Sequence, residues 1–172
     1  MQWSELAEQP CSFARTMSIV GDRWTLMILR ESFLRVRRFD DFQSRLGIGR
    51  PILTDRLTRL VEASVLTKVA YQQNPIRYEY RLTARGLDLH PVIMAIVHFG
   101  DVHMAKGEGR PLLHRHSTCG HVFDPVTTCS VCHEPVVARE VTTLPGPAAP
   151  LPPDAGAEGG RPAARRRKAV VT

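Results

Sequence analysis

One change of hydrophobic period constrains this chain more than anything else in it. Between Arg38 and Leu82 the apolar residues first recur at helical spacing and then switch to alternation. Phe39, Phe42 and Leu46 predict a helix that stops at Gly47, a residue suited to the left-handed turn that ends helices. After Ile48-Gly49 a second helix is predicted from near Pro51, because proline is tolerated where the first-turn N–H needs no partner. Leu53, Leu57, Leu60 and Val61 form its apolar stripe, and Arg50, Thr54, Asp55, Thr58 and Arg59 lie opposite. From Leu66 the period is two. Leu66, Lys68 and Ala70 alternate with Thr67, Val69 and Tyr71. Beyond the polar break Gln72-Gln73-Asn74-Pro75, Tyr78, Tyr80 and Leu82 share one face against Arg77, Glu79 and Arg81.

Two helices across a tight turn, followed by a hairpin with a polar tip, predict a mainly α chain with a small β-hairpin wing (α+β), a winged helix-turn-helix. Such a helix fits the major groove of DNA, and a hairpin tip reaches the neighbouring backbone or minor groove. The same pattern could also build a plain α+β core with no such role. Charge favours the first reading. Between Arg30 and Arg59 eight arginines face four acids, a local excess of +4 within a chain of net charge +6. The tail after Leu144 adds +3, and the rest of the chain carries −1. An excess held in two places fits an anionic polymer better than general solubility. On the predicted second helix Arg50, Pro51, Thr54, Asp55, Thr58 and Arg59 are the candidates for base edges or nearby phosphates, with Arg56 turned away. Arg37, Arg38, Gln73, Asn74 and Arg77 are candidates for backbone contact.

A chain of 172 residues has room for one ordinary core and a small appendage. No run approaches the roughly 18 consecutive apolar residues of a spanning helix, so no membrane partner is expected. The start, MQWSELAEQP, lacks the charged leader and apolar centre of a signal peptide, and a cytoplasmic location is expected. Four cysteines in that compartment point to metal or redox chemistry rather than structural disulfides.

Cys11 to Ile19 reads as a short amphipathic segment with Ser12 as N-cap and Phe13, Met17 and Val20 on its apolar side. After a turn at Gly21-Asp22, a helix over Arg23–Leu34 is predicted with Trp24, Met27, Ile28 and Leu34 inward and Trp24 as the anchor. Val36 marks a short strand expected to join the hairpin. Thr83 is predicted to cap a long helix to about Lys106, bent at Pro91 unless it starts later, near Asp88. Leu89, Val92, Ile93, Ile96, Phe99 and Gly100 form one stripe, and Met94, Val97 and Val102 widen the apolar surface. So apolar a helix needs burial, and its copy in a second subunit supplies it. His90, His98 and His103, at spacings of 8 and 5, read as ordinary helix histidines rather than ligands.

Taken together, Cys11, the run Ile19-Val20-Gly21-Asp22-Arg23-Trp24-Thr25 with Leu26-Met27-Ile28-Leu29-Arg30, Arg38-Phe39, Leu53-Thr54-Asp55-Arg56-Leu57 with Leu60, Tyr78-Glu79-Tyr80-Arg81-Leu82-Thr83, and Gly86 resemble the HxlR-type winged helix-turn-helix regulators of bacteria. The resemblance covers about Cys11 to Ala105. It implies a homodimer bound to double-stranded DNA at a two-fold-related operator, with repression the expected mode and a small-molecule or redox effector as trigger. It also makes Cys11 a candidate sensor thiol, against the alternative of an inert hydrophobe. Members of that family commonly carry proline after the N-terminal cysteine, whereas this chain has Ser12, so the first helix is expected to start differently.

A second cluster, HRHSTCGHVFDPVTTCSVCHEP, spans His114 to Pro135. His116 and Cys119 form H-x-x-C, and Cys129 and Cys132 form C-x-x-C. Two such knuckles meet the needs of a structural zinc ribbon, each placing two ligands on one turn. His116, Cys119, Cys129 and Cys132 are the expected ligands, with His114, His121 or His133 as substitutes for the fourth. A C-x-x-C disulfide or a metal-free loop is the alternative. The nucleotide-deaminase signature is absent, since Thr128 precedes Cys129 and no H-x-E lies upstream. From Pro145 the chain is rich in Pro, Ala and Gly and ends in the basic run Arg165 to Lys168, which predicts disorder. The expected division is therefore 1–106 for DNA binding and dimerisation, 107–144 for the zinc-ribbon-like segment, and 145–172 for the basic tail. No nucleophile–base pair, phosphate loop or carboxylate pair stands at a telling spacing, so an enzyme is not expected. The rival from another class is a zinc-ribbon adaptor whose winged domain binds protein.

Overall fold

The helix-turn-helix forms where the helical period placed it. In the computed structural model, which describes residues 3–105, 107 and 109–149, α1 spans Trp3–Glu8, α2 Ser12–Val20, α3 Arg23–Phe33, α4 Phe39–Leu46 and α5 Arg50–Glu62. Gly47 ends α4 at φ 61°, and its N–H returns to the carbonyl of Gln43. Pro51 sits in the first turn of α5. Phe42 from α4 and Leu53, Leu57 and Leu60 from α5 are almost wholly buried, together with Ile28, Leu29, Val65 and Leu66.

In α3 the inward face is rotated from the predicted one. Thr25, Ile28, Leu29 and Ser32 are buried, Trp24 is half-buried against the core, and Met27 and Leu34 are each 38% exposed. Among the described residues Phe42, not Trp24, is the largest fully buried side chain. Two hydroxyl residues on the inner face disguised it, and Ser32 Oγ is satisfied there by donating to the carbonyl of Ile28 at 2.8 Å. Ser12 is likewise not the cap of α2. Cys11 holds that position, without a side-chain cap bond, and Ser12 is the first helical residue.

Asp22 caps α3. Its carboxylate accepts from the N–H groups of Trp24 and Thr25 at 3.0 and 3.2 Å and from Arg56 Nε of α5 at 2.8 Å. The arginine, 23% exposed, is shared between Asp22 and its neighbour Asp55. Its hydrogen bond is the main cause that holds Asp22 below the usual carboxylate range, and burial works against it. Because the folded-state value lies below that of the unfolded chain, this contribution is complete at neutral pH and is lost as the pH falls through the lowered value. Asp22→Ala should cost about 1–2 kcal/mol at pH 7, the scale of a lost N-cap. In urea titrations the gap from the parent should shrink in acid.

The wing is an antiparallel pair, β1 Leu66–Gln73 and β2 Ile76–Leu82, in register Leu66↔Leu82, Lys68↔Tyr80 and Ala70↔Tyr78. Tyr71 is the extra residue of a bulge, and the tip narrows to Asn74-Pro75, shorter than the four-residue break predicted. Pairing from the segment before α4 occurs, displaced from Val36. Tyr80 N–H donates to the carbonyl of Arg37 at 2.7 Å, and Arg38 bridges Glu79, while Val36 itself is buried.

The long helix after the wing is two helices, α6 Ala84–Leu87 and α7 His90–His103. Pro91 lacks an N–H for a continuous ladder, so a new helix begins around it. Thr83 does cap, accepting from Gly86 N–H at 3.0 Å while its hydroxyl donates to the Ser64 carbonyl at 2.7 Å. His90 and His103 lie against the rings of Phe33 and Phe99, at 5.0 and 4.7 Å between centroids.

Residues 1–142 form one compact unit, within which the expected boundary at 106/107 falls, and residues 143–172 form a second. Of the latter only Thr143–Ala149 is described, with a turn closed from Ala149 N–H to the Gly146 carbonyl. The expected disorder after Pro145 falls mostly on residues outside the described ones. Among the described residues no helix is long and apolar enough to cross a membrane.

Candidate nucleic-acid interface

The outward face of α5 carries Arg50, Pro51, Thr54, Thr58 and Arg59, all exposed, with Asp55 half-buried beside them. Its first turn starts at Gly49, which supplies no side-chain cap. The orphan N–H groups and the positive end of the helix dipole are therefore open to an anion. Arg50 stands at this end, stacked on Phe39 at 4.8 Å, its Nη1 3.1 Å from Gln43 Oε1 and 3.5 Å from Asp40. Arg59 pairs with Asp55 at 3.0 Å, one helical turn away. These are exposed pairs of small worth, easily exchanged for phosphates.

Wing and helices meet in a groove of about 220 Å³. Its described lining brings together Arg38, Arg50, Lys68 and Arg77 with one acid, Asp40, among Tyr71, Tyr78 and Tyr80. Arg38 lies over the ring of Tyr71 at 4.6 Å and Lys68 over that of Tyr78 at 4.1 Å. Cations stacked on aromatic faces are held extended at low entropic cost. Lys68 escaped the sequence reading because alternation groups it with Leu66 and Ala70 without showing which residues of β2 it faces. The register opposite Tyr80 was the available signal. Arg37, Gln73 and Asn74 are exposed but do not line the groove. Gln72 Nε2 donates to the Asn74 carbonyl at 3.0 Å, which fixes the tip. Replacing both Lys68 and Arg77 by Ala should weaken DNA binding uniformly across sequences and flatten the slope of log affinity against log salt by about 2, one per phosphate lost. Fluorescence anisotropy at several salt concentrations reads both effects.

The second cluster forms two turns of one design, 13 residues apart. His116 N–H donates to the His121 carbonyl, Gly120 N–H to that of His116, and Phe123 N–H to that of His114. The same three bonds recur from Cys129 to Glu134, His133 to Cys129 and Val136 to Thr127. Gly120 and His133 take the left-handed conformation at equivalent positions, φ 76° and 61°. Within the first turn His116 Nδ1 is 3.3 Å from Cys119 Sγ. In the second, backbone N–H groups of Cys132 and Val131, and then the Cys132 side chain, hold the Cys129 thiol below its usual range. All four cysteines are free. Each pair is thus formed, but among the described residues no three histidine, cysteine or acidic side chains are gathered to hold a metal ion as they stand. Of the substitutes, His114 Nε2 is buried without a hydrogen-bond partner among the described residues. Arg110 makes a two-pronged pair with Asp124, between the two turns, and Asp124 lies 3.8 Å from His98 of α7. Cys11 is exposed.

Comparison with known proteins places the fold. Residues 19–108 match the family described as HxlR-like helix-turn-helix. An uncharacterized HTH-type transcriptional regulator of Mycobacterium tuberculosis is 46% identical over 136 residues, 79% of this chain and 86% of that protein. The structure of PA1607, a candidate transcription factor, superposes with a TM-score of 0.73 at 27% identity, covering 81% of this chain and 98% of that one. The redox regulator HypR in its reduced form shares the fold, with a TM-score of 0.51 at 23% identity over 55% of this chain and 94% of its own.

Proposed function

Because this chain belongs to the HxlR-like helix-turn-helix family and is a DNA-binding transcriptional regulator, we propose that it acts in the cytoplasm as a homodimeric repressor on a two-fold-related operator. The single observation that carries the DNA-reading geometry is the groove in which Arg38, Arg50, Lys68 and Arg77 converge on the uncapped start of α5. In this reading α5 lies in the major groove, with Thr54, Thr58 and Arg59 toward base edges, while Arg38, Lys68 and Arg77 hold flanking phosphates. Pairing of two copies is supported by α7, whose Val92, Ile96, Phe99 and Val102 are 42–60% exposed in one row, and by Phe13 of α2, 74% exposed. Selection of preferred sites from random DNA tests this proposal. Two inverted half-sites about one helical turn apart are expected, and retention of no sequence, with capture of a protein instead, would favour the adaptor role.

The same proposal gives the 107–144 segment a structural zinc ion. Support comes from the repeated turn and from the donor set His116, Cys119, Cys129 and Cys132, whose imidazole and thiolates suit zinc. Bound metal would supply folding free energy to a segment that buries little apolar surface. Purified protein should contain zinc, and Cys129→Ser with Cys132→Ser should remove it, while equal metal in both refutes the site. Cys11 is the proposed redox-responsive thiol, on account of its exposure at the start of α2. Mild oxidant or quinone should modify it and shift operator affinity. An unmodified Cys11 with unchanged affinity excludes that role.

A further inference from the structure

A cavity of about 510 Å³ lies between α3, α7 and the segment leading into the first knuckle. Its size falls within the range of small-molecule sites. Phe33, Ile93 and Leu112 supply apolar walls, and Arg30, Asp101 and His114 are polar groups on its lining. Arg30 is the one with surface open to a ligand. Arg30 is 40% exposed and, among the described residues, its side chain pairs with its neighbour Glu31, at 3.0 Å. His114 Nε2 is covered and has no hydrogen-bond partner among the described residues, an arrangement that costs free energy unless something else completes it. Asp101 is the one acid among the described lining residues, and its charge adds, after Asp124, to what raises Arg110 above its usual value.

We infer that this cavity is the effector site of the regulator, and that it takes a small aromatic or otherwise apolar molecule bearing one acidic group. The apolar body fills the space beside Phe33 and Ile93, and the acid engages Arg30. Occupation reaches the DNA-binding helices through one buried carboxylate. Glu31 is 3% exposed, and its two oxygens are divided between Arg30 and Arg45 of α4, the latter at 2.5 Å. A ligand that draws Arg30 away leaves Glu31 to Arg45 alone and so bears on the position of α4 against α5. This last step rests on the DNA-binding reading above. The existence of the site does not.

Titration calorimetry with 1-naphthoate, 2-naphthoate and a phenyl-alkanoate, without DNA, tests the site. At least one should bind saturably at one molecule per chain, and its methyl ester should bind at least about tenfold more weakly, as expected for loss of a charge-assisted hydrogen bond. Arg30→Met should weaken the acid to the level of the ester. Gly100→Leu is the second variant. Gly100 lines the cavity and a Cβ there meets nothing within 4 Å, so the side chain fills the site without displacing backbone. It should abolish binding while keeping the parent's circular dichroism. No saturable binding by any of the three acids, as when a partner subunit fills the cavity, or equal binding by Gly100→Leu, overturns the proposal. In a separate arm the bound acid should change operator affinity of the parent and not of Gly100→Leu. Unchanged parent affinity refutes the link through Glu31 even where the acid binds.

Discussion

Ile96→Asp combined with Phe99→Asp should turn the proposed dimer into a folded monomer and reduce operator affinity on the order of 100-fold, the loss of avidity when one of two linked half-sites is given up. Both side chains stand out from α7, 50% and 60% exposed, on the face opposite the buried Ile93 and Met94. Four large apolar groups in one row are an interface signal rather than scattered surface residues. Each is worth about 1.5–3 kcal/mol when fully covered, and a carboxylate in its place forbids the covering. Because neither side chain contributes to the core, the folded monomer should survive, with circular dichroism and thermal transition near those of the parent. Size-exclusion chromatography with light scattering reads the assembly, and anisotropy reads DNA affinity. A variant that remains dimeric at parental affinity removes α7 from the interface.

Gly86→Ala should be among the most damaging single-methyl changes in the chain. A Cβ at this position would lie 2.2 Å from the carbonyl oxygen of Val65 and 3.0 Å from Leu82 Cδ2. The carbonyl is backbone of β1's approach and accepts from Thr83 N–H at 3.1 Å, so it has nowhere to retreat. Forced overpacking of this kind costs about 3 kcal/mol or more, a large part of the total stability of a small domain. Since Gly86 joins the wing to the helix carrying the proposed dimer face, the loss should appear in both DNA binding and assembly. Gly100→Ala is the matched control. Its Cβ meets nothing within 4 Å, and replacing a helical glycine should stabilise by roughly 0.5–1 kcal/mol. Urea unfolding of the two variants beside the parent measures the contrast.

The helix-turn-helix and wing were legible because their signals are local and chemical. Gly47 can end a helix in the left-handed region, Pro51 can only begin one, and Leu53, Leu57 and Leu60 repeat at one helical face. What escaped depended on long-range contact. The burial of Thr25 and Ser32 on α3 reads as polar until Ser32 is seen bonded to its own helix. Glu31 looked like one more surface acid, yet it is buried between arginines 1 and 14 residues away. Lys68 joined the basic groove through strand register, which alternation alone leaves open. The split of the last helix was half visible. Pro91 announced it, but only the Thr83–Gly86 cap fixes where the first piece stands. In the cysteine-rich segment spacing disclosed the two pairs, and the 13-residue repeat of their backbone bonds emerged only in three dimensions.

The account turns on α5 and the wing forming one DNA-reading surface, and anisotropy of the purified protein on labelled DNA from upstream of its own gene tests that most directly. Binding should be tight in low salt, fall steeply as salt rises, and drop further when Arg50 and Arg77 are both changed to Ala. Absence of binding at the lowest salt, or equal affinity in the doubly substituted protein, would contradict it.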